Sequence, residues 1–295
     1  MSRGLVALVV SALVVAACGA PRVEPGEDLN SVIAAADPGD RIVLAAGRHA
    51  GPILIDKPLT LIGREGAIIY GPDDTAVILV TGASGVTIRG VEVEGGYTGI
   101  DVREANDVAL DQVSVTGAIW HGIFVHDAEV AITDCSVSQM RGPSPQGIEI
   151  INSDAREESI VEGCHIEGPV VEGIVSHVSH VRIRDNMVTG STMRGIAVTE
   201  MSAGTVEGNQ VFDALGTAYY CGDGAMCSIV GNSAERIGSD GTGITGNRGH
   251  AVLIQYHAMA FVDDIEATGI SGEQLLVMLE SLLVDYAPYP LTPGP

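Results

Sequence analysis

Between Val86 and Val211 the chain repeats one pattern of apolar and polar positions about every 22 or 23 residues: VTIRGVEVEGG, VALDQVSVTGA, VAITDCSVSQM, SIVEGCHIEGP, VRIRDNMVTGS and GTVEGNQVFDA. Ile88, Leu110, Ile132, Val161, Ile183 and Val206 fall in one apolar column, and Val93, Val115, Val137, Ile166, Val188 and Val211 in a second. Each fragment alternates apolar with polar residues, the period of a strand buried on one face. A third fragment follows, at Gly99-Ile100-Val102, Gly122-Ile123-Val125, Gly147-Ile148-Ile150 and Gly195-Ile196-Val198. A unit this short cannot bury its own apolar face, so successive copies must stack and share a core. Three short strands per turn predict an all-β solenoid of three parallel sheets, with roughly nine to eleven coils. The turns are too short for the helices of a leucine-rich repeat.

Two departures from regularity matter. Val91, Val113, Cys135, Cys164, Asn186, Asn209 and Asn232 are equivalent, so the column turns from apolar to asparagine. Inward Asn side chains at a corner are expected to pass amide hydrogen bonds along the stack, because an unpaired buried amide is costly. The step from Ile132 to Val161 is also longer than its neighbours, with the excess in RGPSPQG and INSDAREES. Insertions in a solenoid become surface loops and often border its binding face.

The ends of the stack need covers, since an open rung presents unpaired backbone. Asp28 to Ala36 places Leu29, Val32, Ile33 and Ala36 on one helical face, with Asp28 as cap and PGD at 38–40 as stop. Strands are expected at Arg41–Ala45, Pro52–Ile55 and Leu59–Ile62, broken by AAGRHAG and DKP. The last rungs are placed at Ala251–Gln255 and Phe261–Ile265. Ser271 with Gln274 has the form of a capping box ahead of EQLLVMLESLLVD, where Leu275, Leu276, Leu279, Leu282 and Leu283 predict a C-terminal capping helix. An extended tail follows.

The wording PGDRIVLAAGRHAGPILIDKPLTLIG resembles the opening coils of right-handed parallel β-helix proteins, a superfamily holding NosD-like proteins of copper systems and pectate lyase-like carbohydrate enzymes. The resemblance extends over residues 27–260. It implies a right-handed parallel β-helix and carries no particular reaction, because the repeats record coil architecture rather than chemistry.

At the N terminus, Arg3 precedes an apolar run from Leu5 to Ala17 that is too short to span a membrane and reads as an export signal. Val15-Ala16-Ala17-Cys18 resembles the bacterial lipoprotein signal, which implies lipidation of Cys18 and an extracytoplasmic, membrane-anchored chain; the alternative is a plain cleaved signal and secretion. The expected division is residues 1–17 signal, 18–27 lipidated tether, 28–270 β-helix with its N-terminal helix, and 271–295 capping helix and tail. Outside the cytoplasm Cys221 and Cys227, which bracket CGDGAMC, are candidates for a disulfide. Cys135 and Cys164 should lie one strand spacing apart, roughly 4.8 Å, either bonded or as two buried thiols.

Charge narrows the partners. Lys+Arg total 15 against Asp+Glu 38, a net charge of -23, which excludes nucleic acid and opposes a bare polyuronate. Calcium would relieve the second objection, with Asp73-Asp74, Asp154 with Glu157-Glu158, and Asp263-Asp264 as candidate oxygen ligands. No other cofactor is indicated. Histidines His121, His126, His165, His177 and His180, with Met187, form no compact cluster of transition-metal spacing.

Outward positions beside the enlarged coil gather the candidate chemistry. Trp120, Phe124, Asn152, Asp154 and Arg141 are candidate substrate-binding residues, and His121, His126, Asp127 and Glu149 candidate catalytic ones. An aromatic platform, imidazoles near neutrality and carboxylates are the parts a glycosidic acid/base site uses. Asp127 with Glu149, or Asp101 with Asp127, would suit the carboxylate spacing of a hydrolase. A lyase needs a basic proton acceptor, and Lys57 is the only lysine while Arg141 and Arg194 are the only suitably placed arginines. Of the alginate-epimerase pattern Asp-Pro-His-Asp only His126-Asp127 is present. The expectation is a monomeric, envelope-anchored carbohydrate-binding or scaffold-like protein, the alternative being a glycan-active enzyme, hydrolase before lyase.

Overall fold

The computed structural model describes residues 20–152 and 158–284. The chain winds as a parallel β-solenoid of about eleven turns. A first sheet stacks twelve strands, from Arg22–Val23 through Ser84–Arg89, Val130–Thr133 and Ala203–Glu207 to Leu282–Leu283. The remaining strands form two further stacks. The second sheet contains Ala67–Gly71, Glu92–Gly95, Ser114–Thr116 and Ser136–Ser138, paired parallel coil to coil. The third contains Ala76–Thr81, Thr98–Arg103, His121–His126 and Gln146–Ile151. Two long strands, His165–His177 and Met187–Thr199, run without a break through the corner between the second and third sheets.

Register follows the apolar columns. Leu110 pairs with Ile132 and Ile132 with Val161. Ile100, Ile123 and Ile148 stack in the third sheet, and all of these side chains are fully buried. The glycine that opens each third-sheet strand is a steric requirement. A Cβ on Gly122 would lie 2.7 Å from the Gly147 carbonyl oxygen, and one on Gly195 would lie 2.7 Å from that of Ala218. The strand must enter the corner beside the next coil's backbone, which leaves no room for a side chain.

The corner after the third sheet is left-handed in coil after coil. Glu104, Asp127, Asn152, Val178, Glu200 and Asp223 all have φ between 49° and 56°. Short polar side chains tolerate this region best, which accounts for the Asp and Asn there. The asparagine column forms the expected ladder at another corner. Asn186 Nδ2 donates to Asn209 Oδ1 (2.9 Å) and Asn209 Nδ2 to Asn232 Oδ1 (3.0 Å), and Asn186 Oδ1 accepts from the Cys164 amide (2.8 Å).

The cysteines resolve the open alternative. Cys221 and Cys227 are disulfide-bonded, joining the third and first sheets across the GDGAM turn. Cys135 and Cys164 are free and buried on adjacent coils; the shared hydrogen bond with Cys135, together with burial, pushes the Cys164 thiol up. Neither thiol is expected to alkylate until the chain unfolds, whereas Cys221 and Cys227 should alkylate only after reduction. Peptide mapping by mass spectrometry separates the two pairs, and modification of Cys135 in the native protein would contradict the packing.

Both ends differ from expectation in part. Leu29–Ala35 is helical and buries Leu29 and Ile33 over the first coil, but the Asp28 side chain makes no capping hydrogen bond to the helix; it accepts from Ser31 Oγ instead. The expected tether already belongs to the stack, because Arg22–Val23 pairs with Val43 and Leu44 and Val23 is buried. AAGRHAG is not a break: Gly47–Ala50 is a second-sheet strand with His49 inward. Among the described residues the expected C-terminal capping helix does not form. Leu275–Val277 pairs with Val252–Ile254 and Leu282–Leu283 with Met259–Ala260, adding one more coil. Leu279 and Glu280 take positive φ, which ends any helix there. The physical reason is the open strand edge of the preceding coil, whose hydrogen bonds LLV and LL satisfy in a way a helix cannot. Ser271 Oγ accordingly lies within reach of the Ile237 and Arg248 carbonyls rather than capping a helix.

Candidate functional site

Outward residues of the third sheet fall into rows along the solenoid axis. One row reads Leu79, Asp101, Phe124, Glu149, Val175, Ala197 and Tyr220. A second, nearer the corner, reads Thr81, Arg103, His126, Ile151, His177 and Thr199. Where the strands begin, Ala76, Thr98, His121 and Gln146 stack in the same way. Equivalent residues on neighbouring coils therefore lie about 4.8 Å apart through the backbone. The regular repeat turns separate sequence positions into one continuous surface.

A groove of ≈ 470 Å³ runs along this surface, lined by Thr75, Leu79, Tyr97, Asp101, Trp120 and Phe124 among others. Its wall is a pair of rings: Tyr97 and Trp120 occupy the same turn on successive coils, with centroids 6.1 Å apart and planes within 3°. Both remain accessible, at 43% and 36%. The pairing arises because the backbone places them in register, Trp120 N donating to the Tyr97 carbonyl at 2.8 Å. On the floor, Phe124 stacks against His121 with centroids 4.5 Å apart. Arg103 closes a bidentate pair with Asp101 (2.8 and 2.7 Å), which raises the Arg103 pKa by hydrogen bonding despite partial burial.

Glu149 is the polar centre. Its Oε2 lies 2.7 Å from His121 Nε2 and its Oε1 3.7 Å from His177 Nε2, and all three side chains are mostly buried. With Nε2–H of His121 directed at Glu149, the Nδ1 lone pair faces Thr98 Oγ1 at 3.5 Å. His177 Nδ1 in turn lies 3.4 Å from Glu200 Oε1 at the corner. The result is an alternating line of imidazole and carboxylate. Such a line holds one imidazole in a defined tautomer and can take up or release a proton at its groove end.

The sequence candidates divide accordingly. Trp120, His121, Phe124, His126 and Glu149 come together on this face. Asp127 and Asn152 sit at the left-handed corner beside it, where Asp127 Oδ2 lies 3.3 Å from His126 Nδ1. Of the two expected carboxylate pairs, Asp127 with Glu149 and Asp101 with Asp127, each has a member engaged elsewhere: Asp127 lies beside His126, and Asp101 is held by Arg103. Arg141 turns toward Asp73, making a bidentate contact (2.5 and 3.2 Å) that lowers the Asp73 pKa. Asp154 lies outside the described residues, as does Cys18. His177 and His180 diverge, His180 opening a first-sheet strand. Tyr97, Thr98, His177 and Glu200 were not among the candidates as binding or catalytic groups, although coil phase relates Tyr97 to Trp120 and His177 to His126.

Among the described residues no group of three or more His, Cys, Asp or Glu side chains is placed to hold a metal ion. The two imidazoles approach opposite oxygens of Glu149 instead of converging on one point. Asp73, one of the candidate calcium ligands, is engaged by Arg141, and Glu158 by Arg182 (2.7 Å).

No curated protein matches the chain in sequence. Among solved structures, an alginate lyase from Paenibacillus sp. str. FPU-7 superposes with a TM-score of 0.71 at 16% identity, over 89% of this chain and 99% of that one. A rhamnogalacturonan lyase superposes with a TM-score of 0.66 at 13% identity, over 90% and 87%. The Streptococcus pneumoniae surface protein and adhesin PfbA gives 0.56 at 12% identity, over 87% and 94%. At such identities the likeness is one of fold. Residues 76–233 match the family described as right handed beta helix region, and the chain belongs to that family.

Proposed function

We propose that this protein binds a glycan in the third-sheet groove, as an extracytoplasmic protein held at the envelope through Cys18. The observation that carries the reading is the parallel, half-exposed Tyr97–Trp120 pair. Parallel aromatic faces above a polar floor suit sugar rings, whose axial hydrogens pack on aromatic faces while their hydroxyls reach Thr98, Asp101 and His121. The glycan is neutral. Asp74, Asp101 and Glu149 line or border the groove, Arg103 is committed to Asp101, and the only lysine, Lys57, donates to the Ala34 and Ala36 carbonyls. Among the described residues that line the groove, no uncommitted lysine or arginine is left to receive a uronate or sulfate. Fold neighbours named as an alginate lyase and a rhamnogalacturonan lyase support a glycan as the ligand; its neutrality rests on the charge of the groove alone. The test is a glycan array with the full chain, followed by calorimetry on the hits; binding confined to charged glycans would sink the neutral assignment.

A second reading, catalysis, is favoured by one feature: Glu149 held between His121 and His177. His121 is then the group that exchanges a proton with the sugar, and Glu149 fixes its tautomer. Glu149→Gln is expected to keep glycan affinity within about threefold while lowering turnover by roughly a hundredfold or more. Equal loss of binding and turnover would assign Glu149 to binding alone.

A further inference from the structure

The groove is open toward the N terminus and filled toward the C terminus. Upstream it continues into a second hollow of ≈ 600 Å³ between the Leu29–Ala35 helix and the third sheet, sharing Thr75, Ala76 and Leu79 with the first. From Leu54 to Phe124 this is three coil steps, about 14 Å. Downstream of Glu149 the outward row changes character. Val175, Ala197, Tyr220 and Leu253 point away from the core, yet each is no more than 1% exposed. Outward positions of a solenoid are ordinarily wet, so something lies over these four.

The cover is built from side chains. Arg194 lies across the Tyr220 ring, 3.8 Å from its centroid, and pairs with Glu172 at 2.9 Å; the two charged side chains are 18% and 8% exposed. Tyr220 OH donates to Asp223 Oδ2 (3.1 Å) and accepts from Gln255 Nε2 (3.2 Å). Leu276 and Met278 pack on the same cluster. The loop before His250 closes the far side, with Thr217 Oγ1 donating to the Gly246 carbonyl at 2.9 Å. A buried, hydrogen-bonded ion pair costs desolvation and is strongly destabilised by loss of one partner. This obstruction is therefore a fixed part of the face and does not swing aside at low cost.

We propose that the groove is blind and recognises the end of a linear neutral glycan, with the Glu172–Arg194 pair over Tyr220 as its stop. A chain threads from the N-terminal helix along Leu79 and the Tyr97–Trp120 wall, and its terminal unit rests at His121 and Glu149. An internal segment cannot occupy the site, because its continuation would have to pass through Tyr220. The inference rests on the glycan reading and adds to it the part of the polymer that is bound.

The test uses the full chain and the best neutral glycan from the array, in four forms: a ladder of linear oligosaccharides, the same chain reduced to its alditol, the same chain capped at its non-reducing end, and the high polymer. One of the two end-modified forms is expected to bind at least tenfold more weakly while the other binds as the parent does. Affinity should stop rising once the oligosaccharide outgrows the groove, and the polymer should saturate at one protein per chain end. Arg194→Ala should partly restore binding of the disfavoured form. Equal binding of both modified forms, with many proteins per polymer chain, overturns end recognition and leaves the glycan reading standing. Absence of binding to any neutral glycan overturns the glycan reading itself, and the end-specific inference with it.

Discussion

Trp120→Ala is expected to weaken glycan binding roughly thirtyfold, about 2 kcal/mol, with no change in the fold. Trp120 offers the larger face of the stacked pair, and a ring held flat by its neighbour loses little freedom when a sugar settles on it. Tyr97 supplies that support from one coil earlier, so Tyr97→Ala should act in the same direction and less strongly, and the double variant should lose less than the sum. Because Trp120 is 36% exposed and lies outside the buried core cluster, thermal unfolding should move little. Calorimetry alongside thermal denaturation separates the two effects. A Trp120→Ala variant that binds as tightly as the parent would remove the aromatic wall from the site.

Gly195→Ala is expected to destabilise the solenoid by about 3 kcal/mol or more. Its Cβ would lie 2.6 Å from Val211 Cγ1 and 2.7 Å from the Ala218 carbonyl oxygen. The valine is a fully buried core residue and the carbonyl belongs to the next coil's backbone, so neither can retreat. Gly82→Ala is the control: it has open space around it and φ of +63°, and should cost about 1 kcal/mol from backbone conformation alone. Chemical denaturation measures both. Similar losses for the two would mean that the glycine column reflects turn conformation rather than the close approach of stacked coils.

The residues differ in how openly they declare their places. Ile88 to Val206 and Val93 to Val211 recur at fixed phase, so the stacked core and the Asn186–Asn209–Asn232 ladder could be read from spacing. The third-sheet patch followed from the same phase for Trp120, His121, Phe124 and Glu149. Tyr97 escaped because nothing in GGYTG distinguishes it until its coil is set against the next, where it meets Trp120. His177 escaped for a related reason: it ends the long His165–His177 strand, and only the stacking of that strand on Gln146–Ile151 brings it beside Glu149. Asp127 looked like a partner for Glu149 by coil spacing, but a left-handed corner falls between the row and its carboxylate. The C-terminal segment was misread because LLVMLESLL satisfies a helical apolar face as well as two short strands. The open edge of the Val252–Ile254 coil decides between them, and that edge exists only in three dimensions.

A sugar chain lying in the third-sheet groove with its end at Glu149 can be seen directly. A crystal structure of the full chain with the tightest-binding neutral oligosaccharide tests it most directly. The expected result is one sugar ring on the Tyr97–Trp120 faces, a terminal unit within hydrogen-bond distance of His121 or Glu149, and no density beyond Tyr220. A glycan bound on the first or second sheet, or one running past Arg194, would contradict it.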